Sequence, residues 1–162
     1  MIPPSRAAFR QTNQLESRRP GHLRMPITTQ LRSFAERYTA AWNSQQAATV
    51  AAFYSPRGSL RVNADAPAVG RDAITKVAQG FMTAFPDMKL FMDGLSEQGD
   101  RFVYRWTLAG TNTGPGGTGK RVRISGFEEW RIGPDGLIAE SRGHFDSTEY
   151  QRQLERGVEE PR

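Results

Sequence analysis

Residues 143–146, Gly-His-Phe-Asp, put an imidazole and a carboxylate two positions apart near the end of a run of alternating strands. Side chains along a strand alternate faces, so His144 and Asp146 share one face and Phe145 takes the other. His144 is the only histidine outside the basic N-terminal segment. An acid and an imidazole on one sheet face can move protons, since imidazole titrates near neutrality and a carboxylate can be tuned toward it. The competing reading is a strand-end pair held by solvent or by a structural hydrogen bond. A further acid sits on the preceding strand, where Val122, Ile124, Trp130 and Ile132 share a face and Glu128 falls among them. A carboxylate in an apolar stripe is costly unless it is paired or lies at a pocket rim. Either Arg105 or another cross-strand arginine pairs with Glu128, or Glu128 lines a pocket.

Other polar and aromatic residues are candidates for the same pocket. Asn63 and Asp65 end the first strand, where turn chemistry is also sufficient to explain them. Tyr38, Trp42 and Tyr54 lie on helical segments, and their bulk can fill a core while their polar ends reach a cavity. Phe102, Tyr104, Trp106 and Leu108 alternate onto one strand face, with Arg105 and Thr107 on the other. Such a stripe serves as core, as dimer contact or as a ligand platform.

The elements that must position these residues are legible from periodicity. Leu31, Phe34, Tyr38 and Trp42 recur at helical spacing and predict a helix from about Thr29 to Asn43. A shorter helix runs through Val50 and Phe53 to Tyr54, and Ser55-Pro56-Arg57-Gly58 ends it. Ser59 to Asn63 reads as a short strand, Asp65-Ala66-Pro67 as loop, and the segment after Gly70 to Ala84 as a helix. Four strands follow: Met88–Glu97, Arg101–Thr111, Lys120–Ile132 and Leu137–Asp146. A helix from Thr148 to Arg156 closes the set. Helices first and hairpin-linked strands afterward predict an α+β fold, a curled antiparallel or mixed sheet forming a cone around the N-terminal helices. The mouth of that cone is the expected pocket.

Composition narrows the chemistry. The 162 residues contain no cysteine, which excludes disulfides, thiolate metal sites and cysteine nucleophiles. Two histidines make no cluster for a metal, and no cofactor motif is present. Gly114-Pro-Gly116-Gly-Thr-Gly119 matches the dinucleotide fingerprint by letter, but a strand follows it where the fingerprint needs a helix. The net charge of +5 resides mostly in residues 1–24, which hold five arginines and one acid. The remainder is nearly neutral, so nucleic acid is not an expected partner. No run is apolar enough for a secretory signal or a membrane span, and a cytoplasmic location is expected. Residues 1–26 read as a disordered extension, a start placed before Met25, or a segment with organellar-transit composition. Residues 27–157 read as one domain, and 158–162 as a tail.

The motifs together resemble the SnoaL-like branch of the nuclear transport factor 2-like superfamily, whose fold is also called cystatin-like. They are Tyr38-Thr-Ala-Ala-Trp42-Asn43, Val69-Gly70-Arg71-Asp72-Ala73-Ile74, Ala84-Phe85-Pro86-Asp87 and Arg105 through Gly114. Arg121 through Gly126, Gly143-His144-Phe145-Asp146 and Tyr150 through Leu154 complete the likeness. The resemblance implies a cofactor-free cyclase or isomerase acting on a hydrophobic carbonyl compound of polyketide or steroid type. Asp146 then stands as the general acid/base, with His144 or Asn63 donating to the developing enolate. It equally allows a non-catalytic module that binds a small hydrophobic molecule or dimerises through the sheet face. Epoxide hydrolysis is a third reading, with Asp65, Arg105 and Asp146 in the acid, base and arginine roles.

Overall fold

The computed structural model describes residues 28–158; the expectations for residues 1–26 and for the end of the tail lie outside them. Helix α1 (Thr29–Asn43) starts where the Thr28 hydroxyl accepts the Leu31 amide at 3.1 Å. It buries Phe34, Tyr38 and Trp42, the predicted stripe. Helix α2 spans only Ala47–Ala51, and the chain enters β1 (Tyr54–Val62) earlier than predicted. Pro56 is accommodated because β1 breaks register against its neighbour between Tyr54 and Ser59, an irregularity that requires no amide from it. Gly58 belongs to the same break: a Cβ there would stand 2.8 Å from the Ile138 carbonyl oxygen. A two-residue strand β2 (Ala68–Val69) and helix α3 (Arg71–Ala84) follow.

Strands β3 (Lys89–Gln98), β4 (Arg101–Thr111), β5 (Arg121–Ile132) and β6 (Ile138–Phe145) then form a meander. The six strands lie in the order β2-β1-β6-β5-β4-β3, antiparallel throughout except for the parallel pair β1/β6. The sheet is curled but not closed, and its concave side holds α1. Phe34 and Tyr38 meet the Trp130 indole edge-on at 5.8 and 5.1 Å, and Trp130 stacks on Tyr104 at 4.8 Å. The fold is the expected α+β cone.

The chain turns into α4 (Ser147–Arg156) one residue sooner than predicted. Asp146 is the N-cap of that helix and not the end of the strand; its carboxylate accepts the Glu149 amide at 3.0 Å. The Gly-rich loop after β4 is tied internally. Asn112 is buried, accepts the Thr118 amide on Oδ1 at 2.8 Å and donates Nδ2 to the Ala84 carbonyl at 3.1 Å. A side chain at Gly114 would collide with the Thr83 carbonyl, so glycine there serves close packing and not phosphate binding. Among the described residues no helix is long and apolar enough to cross a membrane.

Candidate functional site

Between α1, α3, α4 and the concave sheet face lies a pocket. Its cavity volume is about 60 Å³, and it opens to solvent. Leu60 and Val62 enter from β1, Trp106 and Leu108 from β4, and Val77 and Phe81 from α3. Tyr104, Trp42, Phe145 and Tyr150 supply further aromatic wall. Glu128 is the one acid in the lining, and no Lys, Arg or His joins it.

Glu128 reaches the pocket by strand parity. On β5, Val122, Ile124, Gly126, Glu128 and Trp130 face the concave side in turn, and Glu128 stands between Tyr104 of β4 and Gly143 of β6. Its residue exposure is 6%. Tyr38 donates to Oε1 at 3.0 Å, and the Trp130 indole N–H donates to Oε2 at 3.3 Å. With the Tyr38 proton committed to Glu128, the 2.9 Å contact between the Tyr38 and Tyr54 hydroxyls is a donation from Tyr54. Burial pushes the Glu128 carboxyl up to about 7, against the hydrogen bonds from Tyr38 and Trp130 that pull it down. Burial, reinforced by the negative field of Glu128, holds the phenols of Tyr38 and Tyr54 well above the usual tyrosine range. A carboxyl poised near neutrality, fixed by neutral donors and open to a small cavity, is equipped to accept and return a proton.

The adjoining wall depends on a glycine. Gly126 lies across from Trp106 and Phe145 in register, and a Cβ there would approach Trp106 Cζ2 at 2.6 Å. The indole therefore packs over bare backbone. Trp106, Phe145 and Tyr150 continue as edge-to-face neighbours at 5.9 and 5.5 Å. Tyr150 makes no protein hydrogen bond with its phenol among the described residues, so that hydroxyl is uncommitted.

Several expected site residues stand elsewhere. Asp146 is exposed, engaged in capping α4 and absent from the pocket lining. His144 points to the outer face of the sheet, with Nε2 2.9 Å from Glu129 and its ring stacked on Phe127 at 4.8 Å. Neither residue therefore lines the pocket. Arg105 is exposed on the outer face of β4 and pairs with neither Glu128 nor the cavity; tyrosine and tryptophan satisfy Glu128 in its place. Asn63 sits at φ 49° and accepts the Phe145 amide at 2.9 Å, which clamps β6 to the end of β1 without lining the pocket. Tyr38 and Tyr54 stand behind Glu128, while Trp42 and Glu128 itself reach the cavity. The aromatic stripe of Tyr104 and Trp106 turns inward and lines the pocket. Asp65, exposed after β1, does not join Arg105 or Asp146 at any common cavity. Among the described residues no group of three or more acids and histidines is arranged to hold a metal ion.

Tyr150 went unrecognised as a site residue; its position opening α4, four residues after the cap, is the signal that places it beside Phe145. Strand alternation predicts Phe145 on the face away from His144 and Asp146, and that face is the one lining the pocket.

The same architecture recurs in solved structures. A candidate SnoaL-like polyketide cyclase from Jannaschia sp. CCS1 superposes with a TM-score of 0.71 at 19% identity, covering 85% of this chain and 100% of that one. AclR, a candidate hydroxylase from Streptomyces galilaeus, gives 0.65 at 25% identity, with 80% and 83% covered. SalBIII, an epoxide hydrolase/cyclase-like enzyme of pyran-ring formation in the polyether salinomycin, gives 0.62 at 17% identity, with 73% and 92% covered. No curated protein is significantly similar in sequence. The family model described as SnoaL-like polyketide cyclase matches residues 32–154, from the body of α1 through α4. The chain belongs to the SnoaL-like polyketide cyclase family.

Proposed function

We propose that the protein is a cofactor-independent cyclase or isomerase that moves a proton on a small hydrophobic carbonyl compound, with Glu128 as the acid/base. The observation that carries this reading is a lone buried carboxyl, raised to about 7, facing an aromatic-walled cavity. In the forward step the Glu128 carboxylate takes a proton from the carbon α to the carbonyl. The C–H electron pair moves into the enolate, and the new Glu128 O–H later returns that proton to another carbon. Tyr38 and Trp130 are positioning residues that fix the carboxylate. Tyr150, whose phenol is uncommitted, is the donor to the enolate oxygen. The likeness to a polyketide cyclase and to an epoxide hydrolase/cyclase-like enzyme supports this class of chemistry. Asp65, Arg105 and Asp146 do not line this pocket, so the roles of epoxide hydrolysis are not assigned to them.

A compact probe suits the narrow room: 3-cyclohexen-1-one, whose conversion to the conjugated enone is followed by ultraviolet absorbance. The expected kcat/KM rises through about pH 7 as Glu128 ionises. In Glu128→Gln it falls by roughly a hundredfold or more and the inflection disappears. A folded Glu128→Gln protein with undiminished turnover contradicts the assignment. Binding of the enone without turnover favours the non-catalytic pocket module.

A further inference from the structure

The pocket lining contains one acid and no basic side chain, and six of its residues are aromatic. Glu128 makes no ion pair among the described residues; its oxygens meet only neutral donors, Tyr38 and Trp130 by hydrogen bond and the Ser141 hydroxyl more weakly. Each carboxylate oxygen has a further lone pair to offer. A buried carboxylate with no countercharge is destabilised, and it draws in a cation that can be matched to it. The walls favour the same guest. Trp42 and Phe81 meet edge-on at 6.2 Å from one side, and Trp106, Phe145 and Tyr150 form an edge-to-face series from the other. Aromatic faces attract cations through their quadrupoles, tryptophan most strongly, and the attraction grows where water is excluded. An anionic guest would meet the Glu128 charge with no cationic side chain to offset it, and a neutral one would gain apolar burial and at most the Tyr150 hydrogen bond.

We propose that the cavity is a cation site, and that its guest carries a quaternary ammonium or a protonated amine lodged against Glu128 within the aromatic wall. The enclosed room limits that group to a compact one. This inference rests on the pocket of the proposed reaction and adds to it the charge of the substrate: a carbonyl compound with a basic nitrogen. Such a substrate also answers a need of the chemistry. The lining offers an enolate no cationic side chain, so positive charge on the substrate itself would offset the developing negative charge.

The test uses an isosteric pair, choline and 3,3-dimethylbutan-1-ol, titrated into the full chain by calorimetry. Neither is a carbonyl compound, so the outcome is independent of whether the enone is turned over. Choline is expected to bind about tenfold or more tightly than the alcohol, and to tighten as pH rises from 6 to 8 because it requires the ionised carboxylate. Glu128→Gln is expected to cut the preference several-fold, leaving the part due to the aromatic wall, and to erase its pH dependence. Should that variant fail to fold, Trp106→Leu is expected to weaken choline several-fold more than it weakens the alcohol. Equal or tighter binding of the alcohol, or no binding of choline, overturns the proposal.

Discussion

Three carboxylates near the pocket end of the molecule differ in what surrounds them, and their surroundings assign their work. Glu128 is enclosed, so its charged form loses hydration and its carboxyl titrates near 7. Glu149 is held down to about 2 by Arg152 and Gln153, which donate to its oxygens, and it stays ionised on the surface of α4. Asp146 uses its oxygen on the Glu149 amide. Its role is therefore mechanical. Asp146→Ala is expected to lower stability by about 1 kcal/mol through loss of the cap, read by denaturant melts, while turnover of the enone stays within about twofold of the parent protein. A large loss of activity with little loss of stability would return Asp146 to the chemistry. The residue pattern did hold the clue: Asp146-Ser147-Thr148-Glu149 has the spacing of a capping box opening a helix. The two-residue spacing of His144 and Asp146 suggests one strand parity, but β6 ends at Phe145 and Asp146 caps α4. Which face that parity addresses is not written in two residues.

At the scale of the strand, the reason is a bulge. Arg131 pairs with Glu140 and Ile132 with Ile138, so Ala139 is left unpaired and the faces exchange at that point. Counting by twos from the buried Ile138 would send 140, 142, 144 and 146 inward; beyond the bulge it is Ser141, Gly143 and Phe145 that face the concave side. Strand β5 has no irregularity between Val122 and Trp130, so counting by twos there correctly put Glu128 on the apolar face. The inner face of the sheet also depends on what is missing from it. Gly126 leaves the space that Trp106 covers, and Gly126→Ala would drive a methyl into the indole and against the His144 carbonyl. That substitution is expected to cost about 1–3 kcal/mol and to shift the Trp106 fluorescence as the ring leaves its seat. A variant that melts and fluoresces like the parent would contradict the packing described for this wall.

The whole molecule was legible in outline because its architecture follows from order and patterning. Helical spacing in α1, a glycine before α3 and hairpin turns between long alternating strands leave an α+β cone as the arrangement that buries every apolar face. The site was legible only in part. Glu128, Trp42 and the inward stripe of β4 follow from uninterrupted periodicity, whereas Tyr150 and Phe145 depend on where β6 stops and how it is bulged. Tyr38 and Glu128 are 90 positions apart in sequence, and their hydrogen bond exists only because α1 lies in the curl of the sheet. Burial in that curl raises the carboxyl to about 7, while the Tyr38 hydroxyl pulls it down and fixes its position. The most direct measurement is a carboxyl-carbon NMR titration of the full chain, with the Glu128 signal identified by its loss in Glu128→Gln. A midpoint near pH 7 is the result expected from burial, and a midpoint at the ordinary value of 4.5 would mean that Glu128 is bathed in water and cannot be the acid of this pocket.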